Sequence, residues 1–258
     1  MGGKQERYRE GYEKAAEYYN LFANNEDLPF YLSYARKTGS PILDIAAGSG
    51  RVSFYLAREG FQVIALEKSK AMLQEFRKQI DSEDNSISNR IQIIEGNMID
   101  FDLRQKFPLI IIPTSFGHAM ANDEQLSLLT CIRNHLQDDG LFVVDLFPAG
   151  RQPEYASFEG PFVDIGDGRS VSRSGIMKSN PSKRLLTLEL TFTIIETKTG
   201  KLVEKINLES GVALIYSREF DLLLDQTNLE IIEEFGDFQK SPYTESSGRR
   251  IVTIRKRR

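Results

Sequence analysis

Three short apolar runs lead to residues able to hydrogen-bond a ligand. Ile42 to Ile45 carries Asp44, Gln62 to Glu67 closes on a carboxylate, and Ile91 to Glu95 is followed by Gly96-Asn97. After the first run come Ala46-Ala47-Gly48-Ser49-Gly50, then a helical stretch from Val52 to Glu59 stopped by Gly60. Strand, small-residue turn and helix N-terminus together let backbone approach a ligand closely and point helix N–H groups at an anion. Gly48 to Ser53 nearly matches G-x-G-x-x-G, with Ser53 in the last place. A carboxylate at the position of Glu67 can accept both hydroxyls of a ribose, so the ligand is a nucleoside of some kind. Two features argue against a nicotinamide dinucleotide. Asp44 stands where such strands usually carry an apolar residue, and Glu95-Gly96-Asn97-Met98-Ile99-Asp100 offers an amide and a backbone N–H to an adenine edge.

Thr114-Ser115-Phe116-Gly117-His118 supplies the one well-placed group with a near-neutral reference pKa, His118. Two roles stay open for it, a catalytic base or a histidine hydrogen-bonded near a helix start. His135, late in a helix, reads as structural.

The elements that must position these residues alternate. Residues 5–23 carry Tyr8, Tyr12, Ala15, Tyr19 and Phe22 at helical spacing, which predicts an amphipathic helix whose tyrosine stripe packs on the core. A second helix is expected from Pro29 to Arg36. Strands follow at 42–45, 62–67, 91–95, 109–112 and 141–146. Helices lie between them, one capped by Ser69 with Met72, Leu73, Phe76 and Ile80 inward, another capped by Asn122 or Asp123 and ended by Asp138-Asp139-Gly140. Residues 80–90 read as a polar loop. Strands apolar throughout imply a parallel sheet covered on both faces, with ligands at the strands' C-terminal ends.

After Pro148 the rhythm breaks. Residues 149–184 are rich in Gly, Pro, Ser and charge. Leu186, Leu188, Leu190, Phe192 and Ile194 then alternate with polar residues, and 202–216 returns as the second arm of a hairpin. A helix capped by Ser217 and strands at 229–235 and 251–255 resume the earlier pattern. The division expected is an α/β core of 1–148 plus 217–258, with 1–40 as a helical cap, and an antiparallel β insert at 149–216.

Composition bounds the rest. The 258 residues, 40% hydrophobic and 27% charged with net charge −4, describe an ordinary globular chain and give no basic surface for nucleic acid. Arg255 to Arg258 reads as a solvated tail. The single Cys131 excludes an intrachain disulfide and any Cys-cluster metal site. No apolar run of membrane length and no signal-peptide pattern is present, so a cytoplasmic chain with no membrane partner is expected.

The ordered set ILDIAAGSGR (42–51), VIALEKS (63–69), IIEGNMIDF (93–101), FPLIIIPTSFGHAM (107–120) and IRNHLQDDGLFVVDLFP (132–148) resembles the class I S-adenosylmethionine-dependent methyltransferases. The resemblance implies a Rossmann-like fold, a mostly parallel seven-stranded sheet with helices on both faces. It also implies S-adenosylmethionine as cofactor. Carried over position by position, Asp44 orients the amino group of the methionine part, and Gly48 and Gly50 allow close backbone approach. Glu67 holds the ribose hydroxyls, Lys68 and Met72 flank the adenine, and Asn97 with the Met98 backbone meets its edge. Tyr19 aligns with a tyrosine that covers the cofactor, and Thr114 is assigned to the same site. Two positions depart from the family pattern: Ala46 replaces its first glycine, and Asn97 replaces its usual acid.

SFGHAM, AEYYNLF and the insert resemble small-molecule N-methyltransferases, notably N,N-dimethyltransferases of nucleotide-linked amino sugars. No Asn-Pro-Pro-Tyr block follows the fourth strand. The expectation is methyl transfer to a small molecule, probed first as an amine nitrogen. The insert then serves as a substrate wall or as the surface of a homodimer. The competing readings are an NAD(P)-dependent Rossmann oxidoreductase, a non-catalytic S-adenosylmethionine-binding protein, and a methyltransferase acting on RNA or protein.

Overall fold

The computed structural model describes residues 12–147, 149, 153–244 and 246–257. Its first unit is a seven-stranded sheet in the order β11-β12-β5-β4-β1-β2-β3. The strands are β1 (Ile42–Ile45), β2 (Val63–Glu67), β3 (Ile91–Glu95), β4 (Phe107–Ile112), β5 (Leu136–Leu146), β11 (Leu229–Phe235) and β12 (Arg250–Lys256). All pairings from β3 across to β5 are parallel, while β12 runs antiparallel to both β5 and β11.

Alternation along β1 assigns its side chains to opposite layers. Leu43 and Ile45 pack with Leu128, Leu129 and Ile132 of α6 (Asn122–His135) and with Phe220, Leu223 and Leu224 of α7 (Ser217–Gln226). Ile42 packs on the other face with Tyr31, Leu32 and Tyr34 of α2 (Leu28–Thr38) and with Val52 and Leu56 of α3 (Arg51–Arg58). On the β3 side, α4 (Lys70–Ser82) buries Met72, Leu73 and Phe76, and its N-cap Ser69 accepts from the Met72 N–H at 3.1 Å. Helices therefore cover both faces, and the C-terminal ends of β1, β2, β3 and β4 share one rim.

The second unit is an antiparallel sheet in the order β10-β9-β8-β6, with β7 paired to β8. Its strands are β6 (Tyr155–Glu159), β7 (Val163–Asp164), β8 (Arg169–Asn180), β9 (Leu185–Glu196) and β10 (Leu202–Ala213). Its apolar face, with Val171, Leu190, Phe192 and Ile194, packs on Ala15 and Tyr18 of the N-terminal segment.

Several expectations are corrected. The described part of the N-terminal stretch is not one helix: it is a turn, the single helical turn α1 (Ala16–Tyr19) and a 3-10 turn over Asn20–Phe22. Tyr8 lies outside the described residues. The polar segment after Ile80 contains the short helix α5 (Asn85–Ser88). Residues 149–184, placed in the β insert without individual strands, hold three of them; β8 mixes Ser, Arg and Gly with few apolar residues and so lacks a clear alternation. Strand β5 begins at Leu136, directly after α6, and takes Asp138-Asp139-Gly140 into the sheet. The first register irregularity of β4 against β5 falls between Phe107 and Leu109, where Pro108 brings no N–H to the ladder. Helix α6 is capped at Ala121, not by Asn122 or Asp123. The Glu124 carboxylate supplies the cap by accepting from the Ala121 and Met120 N–H groups at 3.2 and 2.9 Å.

Candidate active site

The small-residue turn after β1 is built from left-handed backbone. Ala46, Gly48 and Gly50 have φ of 56°, 60° and 92°. Ala46 carries a Cβ in that region, at a cost of about 1 kcal/mol that glycine escapes. A Cβ on Gly48 would meet nothing within 4 Å, so this stretch faces open space. One on Gly50 would lie 2.4 Å from the Phe76 ring, so Gly50 is required by packing against α4.

Glu67 and the turn hold each other. One carboxylate oxygen accepts from Gly48 N–H at 2.7 Å, and the other accepts from Lys68 and Ser69 N–H at 2.9 and 2.7 Å. Carboxylate oxygens have further lone-pair capacity, so this bracing leaves room for ligand hydroxyls. The N-terminal segment is tied down at the same place. Ser49 Oγ donates to Asn20 Oδ1 at 2.8 Å, and Arg51 forms a two-pronged pair with Asp27 at 2.6 Å for each bond.

Asp44 is buried beneath the turn. Ser53 Oγ donates to its Oδ2 at 2.6 Å, while Oδ1 is buried with no partner. Burial pushes its pKa up to about 7, against the lowering effects of Ser53 and Arg51. A buried, half-satisfied carboxylate is the arrangement that a ligand ammonium group would complete.

A cavity of about 240 Å³ opens over this rim. Ala46 and Gly48 line it from the turn, Glu67, Lys68 and Met72 from β2 and α4, and Asn97 and Met98 from the turn after β3. Tyr19 and His118 close it from the N-terminal segment and from the turn after β4. Asn97 also builds its own turn, its side-chain oxygen accepting from Ile99 N–H at 3.3 Å, which leaves its amide donors for a ligand. The lining residues thus offer a carboxylate for a ribose and a polar edge beside apolar faces for a base, while Asp44, beneath the turn and outside the lining, holds an orphaned carboxylate oxygen that an ammonium would satisfy. That set fits S-adenosylmethionine.

Three residues assigned from sequence do not line the cavity: Asp44, Gly50 and Thr114. Asp44 lies behind the turn and Gly50 packs on Phe76. Thr114, at φ 55°, turns toward β5, where its N–H donates to Asp145 Oδ1 at 2.7 Å. Tyr12, read as a core residue, does pack beside the Ala15 and Phe192 cluster and also lines the cavity, as do Glu13, Ser69, Ser115, Met120 and Gly211. Tyr12 meets Tyr19 edge to face at 4.8 Å.

Asp145 went unassigned in the sequence although it closes an apolar strand much as Asp44 does. It is buried and accepts from Tyr31 Oη at 2.7 Å, from the Thr114 N–H and from Arg249 at 2.5 Å. This cluster anchors the start of the turn that bears Ser115 and His118. The turn's other side is fixed at Gly117, where a Cβ would stand 3.0 Å from Val212 Cβ and 3.1 Å from Ala213 O of β10. The insert is thereby pressed against the His118 turn.

His118 is solvent-accessible inside the cavity mouth, yet the surrounding walls penalise its charged form and lower its pKa from the ordinary imidazole value. His135 is structural in its geometry: Nε2 accepts from Leu103 N–H at 2.9 Å, and Nδ1 lies 2.7 Å from Cys131 O. Among the described residues, no cluster of His, Cys, Asp and Glu could hold a metal, and no helix is long and apolar enough to cross a membrane.

Comparison with known proteins agrees with this geometry. Residues 42–140 match the family described as "Methyltransferase domain". An N,N-dimethyltransferase of dTDP-3-amino-3,4,6-trideoxy-alpha-D-glucopyranose from Streptomyces venezuelae is 24% identical over 230 residues, covering 84% of this chain and 90% of that protein. An uncharacterized methyltransferase of Geobacillus sp. (strain WCH70) is 28% identical over 116 residues, and there the match spans only 49% of the relative's length. Among solved structures, the CcbJ methyltransferase from Streptomyces caelestis superposes with a TM-score of 0.76 at 22% identity, over 95% of this chain and 97% of that one.

Proposed function

The chain carries a class I S-adenosylmethionine-dependent methyltransferase domain, and from that premise we propose that it methylates an amine nitrogen of a small molecule, foremost a nucleotide-linked amino sugar. The cofactor is S-adenosylmethionine, which supplies an electrophilic methyl group on a sulfonium. On this reading Asp44, Ala46, Gly48 and Tyr19 serve its methionine end. Glu67, Lys68, Met72, Asn97 and Met98 serve its adenosine end, while Gly50 and Thr114 act through packing and through Asp145.

The observation that carries the amine reading is the setting of His118. Its imidazole lines the cavity, where desolvation by the surrounding walls lowers its pKa and so favours the neutral form that can accept a proton. An amine that gains a methyl group must shed a proton; the new N–C bond forms as the C–S bond breaks, and His118 takes up that proton. Support for a sugar amine comes from the similarity to the amino-sugar N,N-dimethyltransferase of Streptomyces venezuelae. The net charge of −4 offers nothing to a nucleic-acid acceptor.

The insert, with Gly211 at the cavity and β10 pressed on Gly117, serves as the acceptor-side wall. Its exposed Leu202, Val203 and Tyr155 make it also the surface for a homodimer, which light scattering on the purified protein checks. A cytoplasmic location belongs to the same reading.

The test is a panel of dTDP-linked amino sugars, simple amines, alcohols and a peptide N-terminus, each incubated with S-adenosylmethionine and read by mass spectrometry. Methylation of an amino sugar, reduced in His118→Asn while S-adenosylhomocysteine affinity is unchanged, is the expected result. Methylation of alcohols alone, or full turnover by His118→Asn, refutes it.

A further inference from the structure

His135 is a buried titratable group that no step of methyl transfer uses, yet both of its ring nitrogens are engaged. Nε2 accepts from the Leu103 N–H at 2.9 Å and so carries no proton, while Nδ1 donates to Cys131 O at 2.7 Å. Asp102 Oδ1 stands 3.6 Å from Nε2, too far to compete for it. Backbone on each side therefore holds the imidazole as one tautomer. The Phe101 ring packs on it, with the centroids 4.7 Å apart.

The chain that this ring holds leads from the cavity. Residues 99–103 are fastened to α6 by three side chains spaced four apart, which places all three on one edge of the helix. Ser127 Oγ donates to Ile99 O at 2.7 Å, Cys131 Sγ reaches the same carbonyl at 3.8 Å, and His135 takes the Leu103 N–H. Asn97, Met98 and Ile99, at the start of this stretch, line the cavity. The near end of their turn is tied to β2, where the Gly96 N–H donates to Glu67 O at 2.9 Å. Its far end is tied to α6.

We infer that the edge of α6 formed by Ser127, Cys131 and His135 positions the base-recognising turn, with His135 as its principal member. His135 does not line the cavity; it acts through Leu103. The edge sets where the Asn97 amide and the Met98 N–H stand, and so how sharply the site tells adenine from a base with a different edge. Such selectivity requires the recognising groups to be held within about 0.5 Å by neighbours that are themselves fixed. The inference rests on the placement of the adenine beside Asn97 and Met98 proposed above.

The experiment needs no turnover and no acceptor. Each protein is titrated calorimetrically with S-adenosylhomocysteine and with S-inosylhomocysteine, whose base has an oxygen in place of the exocyclic amine and a proton on N1. Wild type is expected to favour the adenine ligand by about tenfold or more. His135→Leu removes both nitrogens and should lower that ratio about fivefold or more, by weakening S-adenosylhomocysteine alone. A merely structural role would weaken both ligands together and leave the ratio as it was. His135→Gln brings a carbonyl oxygen that can accept from the Leu103 N–H, and should restore the ratio. Asn97→Ala is the reference, because it deletes the recognising amide itself. A ratio lowered in Asn97→Ala and unchanged in His135→Leu overturns this inference alone. A ratio unchanged in both overturns the adenine placement and the inference with it. Should His135→Leu not fold, Ser127→Ala, at an exposed position on the same edge, is titrated in its place, and an unchanged ratio there overturns the inference equally.

Discussion

Asp44 should make cofactor binding depend on pH in a direction opposite to its effect on stability. In an unfolded chain its carboxyl titrates near the ordinary aspartate value of 3.8, and in the folded, ligand-free protein burial raises this to about 7. Between those values the folded form holds the extra proton, so stability from this group is full below about pH 4 and lost as pH rises through about 7. The span of about three units corresponds to about 4 kcal/mol of buried-charge penalty at alkaline pH. Binding behaves the other way. A ligand ammonium needs the ionised carboxylate, so apparent affinity falls about tenfold per pH unit below 7, and by about tenfold between about pH 8 and about pH 6. The assay is calorimetric titration with S-adenosylhomocysteine at both pH values, in buffers of different ionisation enthalpy. Weaker binding at the lower pH, with a proton released on binding, is expected. Asp44→Asn retains the Ser53 hydrogen bond, and so should melt higher than wild type at the higher pH while binding far more weakly at either. Affinity independent of pH, or tight binding by Asp44→Asn, would refute the reasoning.

Glu67→Gln should weaken S-adenosylhomocysteine binding by about tenfold or more, because an amide cannot accept on both sides from Gly48, Lys68 and Ser69 as well as from ribose hydroxyls. Hydrogen exchange in the 46–50 turn should rise in the same variant; calorimetry and exchange mass spectrometry check both. Asp145→Asn should lower kcat more than cofactor affinity, since it weakens the pair with Arg249 and loosens the Thr114 anchor of the His118 turn. Breaking such a buried pair costs about 3–5 kcal/mol of stability, so urea unfolding accompanies the kinetics. An unchanged kcat would confine Asp145 to packing.

The α/β core was legible because its signals are local. β1, β2 and β4 are buried at every position and apolar but for Asp44 and Glu67, Ser69 does cap α4, and Met72, Leu73 and Phe76 recur at helical spacing toward the sheet. The insert was legible only where periodicity was strong. Leu186 to Ile194 alternates and stands out as β9. Strand β8, with Ser170, Ser172, Arg173, Ser174 and Gly175, carries the sheet's middle but earns no strand signal, because its partners supply the apolar contacts. The N-terminal stretch failed for a related reason. Tyr12 and Tyr19 have helical spacing, but their rings meet each other over the cavity, and tertiary contact overrides the repeat.

The site divides along the same line. Residues identified by their place at a strand end, such as Glu67, Asn97 and His118, lie in the cavity wall because the strand fixes where its own end goes. Residues whose role depends on a distant partner were invisible or misplaced. Thr114 was assigned to the ligand, yet its N–H belongs to Asp145, and Asp145 in turn depends on Tyr31 and Arg249, each more than a hundred positions away. Sequence separation of that size leaves no periodic trace. Arg173 is the extreme case: a lone arginine in a polar-looking strand reads as a solvated charge. Only the pairing of β8 with β9 turns it onto the apolar face, where its guanidinium stacks over the Phe22 ring at 5.1 Å.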